Sequence, residues 1–141
     1  PVTDKGKEYD GWGTNLAPSF EPIILARKKF NGSLASNIVE NGLGGLNIRV
    51  GEQKFGKFPS NVLEFQKVKK SDRDKYNNHP IVKPVDLLKY LILMTTREGD
   101  TVVDPFMGSG STCCACIETR RNYIGIENNE DYFKIAEKRI N

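Results

Sequence analysis

The stretch Thr101–Asn128, TVVDPFMGSGSTCCACIETRRNYIGIEN, leaves a folding chain few choices. The apolar run Thr101-Val102-Val103 suits a buried strand. Asp104-Pro105-Phe106 closes it, and Met107-Gly108-Ser109-Gly110 follows as a turn. A helix-like segment then leads to a second strand candidate, Tyr123-Ile124-Gly125-Ile126, which ends on Glu127. Strand, glycine turn, helix, strand and acid is the order in which doubly wound α/β folds build a nucleotide-type site. Asp104 and Glu127 are 127 − 104 = 23 residues apart, near the roughly 20 expected between such a turn and a ribose-binding acid. The pattern predicts an α/β fold with a pocket for an adenosine-like ligand between turn and acid.

The flanking sequence fits that frame. His79-Pro80-Ile81-Val82-Lys83-Pro84 is extended, since each proline biases its predecessor away from helix, and Pro84 suits a first helical position. Helical spacing of Leu87, Leu88, Leu91 and Met94 or Thr95 predicts a helix from Val85 to Thr96, stopped by Gly99. Beyond Glu127, Asn128 or Asn129 caps a last helix, Glu130–Ile140, with Tyr132, Ile135, Ala136 and Ile140 facing the core. Upstream, Phe20–Ala26 and Asn61–Phe65 read as strands, and Ser33–Val39 as a short helix stopped by Asn41-Gly42. Residues 42–60 carry five glycines with Arg49, Lys54 and Lys57 among them, the pattern of surface loops. Lys67–Lys75 reads as an exposed charged linker. Trp12, between turn signals at Asp10-Gly11 and Gly13-Thr14, reads as an aromatic capping the core rather than a base-stacking surface.

At 141 residues, 38% hydrophobic and 28% charged, the chain fits one ordinary domain. Its net charge of +3 is compatible with a polyanionic partner without demanding one. The longest apolar run, Tyr90–Met94, is too short to span a membrane, and a cytoplasmic location with no membrane partner is expected. Cys113, Cys114 and Cys116 lie within four positions, which suits small residues packing a helix on a sheet better than disulfides or a zinc site. No metal is expected.

Gly108 and Gly110 allow a tight turn and close approach to a ligand. A dinucleotide motif calls for a third small residue three positions later, and that place is held by Cys113; the paired glycines alone leave a nicotinamide-dependent oxidoreductase open but give it no support. No Gly-Lys-Ser/Thr follows, so the turn is not a phosphate-binding P-loop. Without a phosphate cradle the pocket fits an uncharged nucleoside, with Glu127 accepting ribose hydroxyls and Phe106 offering apolar surface to adenine or a sulfonium. Glu127 reads alternatively as the acid at a helix N-terminus.

DPFMGSGST, IGIE and HPIVKP together resemble the cofactor motifs of S-adenosylmethionine-dependent DNA amino-methyltransferases, in the permuted group whose cofactor region follows the catalytic region. YDGWGTNLAPSFEPIILARK, GGLN and GKFPSNV are similar to segments of phage- and prophage-type adenine-specific DNA methylases, so the likeness covers nearly the whole chain. Ala17 departs from it, standing where such sequences more often carry lysine. The resemblance implies a Rossmann-like S-adenosylmethionine-dependent fold and double-stranded DNA as partner. It implies that Asp104, Phe106, Gly108, Ser109, Gly110 and Thr112 hold the cofactor, that Glu127 takes its ribose, and that Lys83 and Pro84 cover its methionine end.

Family members grip a flipped base with a D/N/S-P-P-Y/F/W loop, because the target amine is inaccessible inside a duplex. No Pro-Pro occurs in this sequence, and the GSGST after Asp104-Pro105-Phe106 assigns that tripeptide to the cofactor turn. In the permuted order the loop lies before Pro1, and with no initiating methionine the chain reads as the C-terminal portion of a longer enzyme. No catalytic residue is then expected in this chain. Residues 1–75 become the remainder of the catalytic domain with DNA-facing loops, and residues 76–141 the cofactor-binding portion. The expected reaction is methyl transfer to an exocyclic amine of a flipped base, adenine N6 rather than cytosine N4. A non-catalytic DNA-binding or partner subunit that retains the fold is the competing expectation.

Overall fold

A computed structural model describes residues 3–13, 15, 20–50, 56 and 58–141. The chain divides into two compact units, Pro1–Phe30 and Asn31–Asn141. Thr14, Ala17, Lys54 and Lys57 lie outside the described residues.

In the first unit, helix α1 (Asp4–Lys7) is capped by Thr3, whose hydroxyl oxygen accepts from the Gly6 N–H at 3.1 Å. The Trp12 ring meets Tyr9 edge-on, centroids 6.0 Å apart, and is 81% exposed; it caps no core. The strand expected over Phe20–Ala26 does not form, and Ile24 is 90% exposed. β-propensity describes fit to a ladder and a half-buried surface, and this apolar run has no ladder partner among the described residues.

In the second unit the glycine stretch organises a β–α–β crossover. Strand β1 (Thr101–Asp104) pairs in parallel with β2 (Asn122–Gly125), Thr101 opposite Asn122 and Asp104 opposite Gly125. Helix α4 (Ser111–Glu118) connects them, helix α3 (Val85–Thr95) precedes them and helix α5 (Glu130–Ile140) follows. Earlier, α2 (Leu34–Asn41) starts at a Ser33/Ser36 capping box and stops at Gly42, which has φ 67°. Thr96 forms the C-cap of α3 and Asn129 the N-cap of α5; Pro84 sits one step outside α3 as its N-cap, not inside it.

Two small clusters make the core. Ile92, Ala115 and Cys116 pack with Val85, Leu88 and Val102, joining α3, α4 and one face of β1. Met107, Cys113, Ala136 and Ile140 join the turn, α4 and α5. Both clusters put small or sulfur-bearing residues where elements approach closely, as expected for the cysteine-rich helix. The periodic positions of α3 are not its most buried ones. Tyr90 and Ile92 are its buried residues, while Leu87, Leu88, Leu91 and Met94 are half-buried. Ile92 faces α4, and on another side the Tyr90 ring lies 6.0 Å from Phe65; a helix covered on two sides has no single apolar stripe.

Asn61–Phe65 is not a strand, and Phe65 contributes a ring contact instead. Lys67–Lys75 is more than an exposed linker: a 3₁₀ turn spans Lys70–Asp72, and Arg73 donates to the carbonyls of His79 and Val68. Arg121 fastens the other end of the crossover, giving Nη2–H to the Thr96 carbonyl at 2.8 Å and Nε–H to the Thr96 hydroxyl at 3.1 Å. On the opposite sheet face Val103, Ile124 and Ile126 are each more than half exposed. No helix among the described residues is long and apolar enough to cross a membrane.

Candidate functional site

The C-terminal ends of β1 and β2 present the glycine turn and the acid side by side, which is where open α/β sheets bind ligands. The Met107 N–H donates to the Ile126 carbonyl and the Ile126 N–H to the Asp104 carbonyl, so the two strand exits are stitched together beyond the ladder. Asp104 shapes the turn from inside. One carboxylate oxygen accepts the Phe106 N–H at 3.0 Å, the other the Thr112 hydroxyl at 2.6 Å. That Asx-type turn swings Phe106 outward, leaving its ring 87% exposed.

Glu127 closes the site on the other side. Its Oε2 accepts the Gly108 N–H at 2.9 Å and its Oε1 the Asn129 N–H at 2.8 Å. The two readings of Glu127 are therefore compatible. The carboxylate ties the turn to the start of α5, and each oxygen keeps a further acceptor position for an outside donor. Asn129 completes the cap, its side-chain oxygen accepting from Asp131 and Tyr132 N–H.

The glycines make the tight turn and also a close packing contact. Gly108 and Gly110 do adopt φ of 53° and 79°, a region that penalises side chains. In the direction a side chain would take, the space beside each is filled by protein. A Cβ on Gly108 would sit 2.9 Å from Nε2 of His79, and one on Gly110 would sit 3.0 Å from the Ala136 Cβ. The smallness of these residues lets the chain pack against itself. On the outer side of the turn stand the exposed Phe106 and the half-buried Glu127.

Of the expected site residues, the structure joins Asp104 to Phe106 and Thr112, and Gly108 to Glu127. Ser109 and Gly110 form the buried back of the turn. Lys83 and Pro84 stand before α3, Lys83 bordering a cleft lined by Gln66, Arg73 and Asp86. What the extended segment brings to the turn is His79. Its ring stands edge-on to Tyr132 with centroids 4.4 Å apart, and its Nδ1 accepts the Ile81 N–H at 3.3 Å. As the chain's single histidine inside HPIVKP it was visible, but nothing local tied it to a glycine 29 positions later. Arg139 was missed too, and no sequence signal pointed to it: its Nη1 donates to the Ser109 carbonyl and to the hydroxyls of Ser109 and Ser111.

Behind the turn, burial first and the Asp104 charge next push the Cys113 thiol up to about 11. A thiol held protonated is a packing group, not a nucleophile.

The sequence profile described as DNA methylase matches residues 4–138. The Type II methyltransferase M.HindIII of Haemophilus influenzae is 38% identical, the match covering 94% of this chain and 44% of that one. The DNA adenine methyltransferase YhdJ of Escherichia coli is 36% identical, covering 94% and 49%. The chain thus spans about half the length of these curated relatives. Among solved structures, the cytosine-N4-specific PvuII DNA methyltransferase aligns with a TM-score of 0.59 at 24% identity, covering 69% of this chain and 36% of that one. That similarity extends to the fold alone, and identifies the β–α–β unit as part of a Rossmann-like sheet. With the profile matching nearly end to end and the glycine turn facing an acid at the strand exits, this chain belongs to the DNA methylase family.

Proposed function

We propose that this chain is the methyl-donor half of an enzyme that transfers a methyl group from S-adenosylmethionine to an exocyclic amine of a base in double-stranded DNA. The observation that carries the reading is the glycine turn tied to Glu127 at the strand exits, with an exposed Phe106 on the turn and spare acceptor positions on the carboxylate.

These residues fit the cofactor. Glu127 is held by two backbone donors in a fixed pose, and its remaining lone pairs suit two vicinal ribose hydroxyls. The Phe106 ring supplies a flat apolar surface for adenine or a sulfonium. Asp104 and Thr112 keep Phe106 turned outward. Asp104, Gly108, Ser109, Gly110 and Thr112 then act by shaping the turn, and Lys83 and Pro84, in the segment before α3, are assigned to the methionine end of the cofactor. When bound, S-adenosylmethionine supplies an electrophilic methyl; this chain's residues bind and orient it. In this reading residues 76–141 form the cofactor portion, and residues 1–75 belong to the base- and DNA-facing remainder. The base-gripping D/N/S-P-P-aromatic loop is contributed from outside this sequence.

Adenine N6 is the favoured target. The relative named for adenine is 36% identical, with the match covering 94% of this chain.

The test is calorimetric titration of the intact gene product with S-adenosylmethionine, followed by nucleoside analysis of DNA methylated by it. Saturable binding and N6-methyladenine are expected. Absence of binding defeats the reading; N4-methylcytosine defeats the choice of base. Binding of cofactor and DNA without any methyl transfer indicates a non-catalytic partner subunit.

A further inference from the structure

Helix α5 holds the glycine turn at both of its ends. At the start, Glu127 links the Gly108 N–H to the Asn129 N–H, at 2.9 and 2.8 Å. One residue from the other end, Arg139 Nη1 reaches the Ser109 carbonyl at 2.5 Å, the Ser109 hydroxyl at 3.0 Å and the Ser111 hydroxyl at 3.1 Å. Between these points Ala136 fills the space beside Gly110. Ser109 and Ser111 are only 3% and 5% exposed, so water cannot readily replace the guanidinium as their donor, and an unmatched buried oxygen is costly. Arg139 ion-pairs with no carboxylate among the described residues. Its charge is directed at neutral loop oxygens, an unusual use for a surface helix unless the loop's pose matters.

We propose that Arg139 is a positioning residue for cofactor binding. By fixing Ser109 and Ser111 from behind it holds Gly108 in the pose that donates to Glu127, and so keeps the outer lone pairs of the Glu127 carboxylate aimed at the ligand. Arg139 touches no ligand; it acts through Ser109, Gly108 and Glu127 in turn. The inference rests on the S-adenosylmethionine reading above.

The test is a double-mutant cycle on S-adenosylmethionine affinity in the intact gene product, using Arg139→Met and Glu127→Gln, with thermal unfolding recorded for each protein. Arg139→Met should weaken binding about tenfold, the equivalent of about 1.4 kcal/mol. In the Glu127→Gln background the same change should weaken it less than about twofold, because residues acting in series are not additive. Arg139→Lys, which can reach only part of the acceptor set, should recover an intermediate affinity. A purely structural role predicts a lowered melting temperature with equal affinity losses in both backgrounds, and that result overturns the proposal. If Arg139→Met does not fold, Arg139→Lys takes its place in the cycle, with the same criterion of unequal losses. No binding by the unmutated protein defeats the cofactor reading itself; normal binding with an unaffected Arg139→Met protein defeats only the role of Arg139.

Discussion

Replacing Gly108 by alanine separates the two reasons a glycine stands there. The first is backbone: at φ 53° an L-residue pays roughly 1–2 kcal/mol. The second is space, since the new Cβ would lie 2.9 Å from His79 Nε2. The imidazole cannot simply swing away, because its Nδ1 holds the Ile81 N–H and its ring abuts Tyr132. Overpacking of this kind costs about 1–3 kcal/mol, so Gly108→Ala should destabilise by about 2–5 kcal/mol in all. Gly99 is the internal control: it has φ 83° with nothing within 4 Å of its Cβ position, so Gly99→Ala should cost only the backbone part, about 1–2 kcal/mol. In a His79→Ala background the steric part should vanish, and Gly108→Ala should fall to the cost measured at Gly99. Urea unfolding with an unchanged m-value measures all of these. If Gly108→Ala costs no more than Gly99→Ala, or costs the same with and without His79, the packing of His79 on the turn is wrong.

Three further outcomes follow from the same geometry. Asn129→Ala removes the oxygen that accepts from Asp131 and Tyr132 N–H and should lower unfolding free energy by about 1 kcal/mol, read by chemical denaturation. Arg121→Met removes the donor to the Thr96 carbonyl, bonded at 2.8 Å, while the Thr96 hydroxyl keeps its bond to the Ile92 carbonyl; a loss of about 1–3 kcal/mol is expected, with hydrogen exchange rising first at the end of α3. The pH prediction concerns Cys113, whose thiol moves from 9.0 to about 11 on folding. Its folded value is raised, so its contribution is complete below pH 9. It is lost as pH climbs from 9 to about 11, where the unfolded chain ionises and the folded one does not. Stability measured across that window should fall, and Cys113→Ala should flatten the fall.

The parts of the fold that were legible are those decided within a few residues. The cap at Asn129 and the inward Ile135 and Ala136 of α5 follow from a polar side chain before a periodic segment, and both strands of the crossover were visible as short apolar runs beside turn residues. The failures share another cause. Phe20–Ala26 and Asn61–Phe65 have strand composition, but a strand exists only where a ladder partner does, and composition does not supply one. Tyr90 and Ile92 were passed over because a single stripe was assumed for a helix covered on two sides. At the site, the acid and the turn were readable from spacing alone. That His79 fills the gap beside Gly108, and that Arg139 holds Ser109, depends on contacts about 30 positions apart, for which one sequence carries no local signal.

The exposed face of the β1–β2 pair has a practical consequence. Parallel strands ordinarily lie buried on both faces, and here Val103, Ile124 and Ile126 stand more than half in solvent, on two strands that each have a single ladder partner among the described residues. Unpaired amides and carbonyls beside exposed branched side chains are a template for another strand. Handled alone, this polypeptide should therefore be limited by self-association before it is limited by unfolding. Light scattering should rise with concentration at temperatures where its helical signal is intact, and a lysine at position 103 or 124 should suppress that rise.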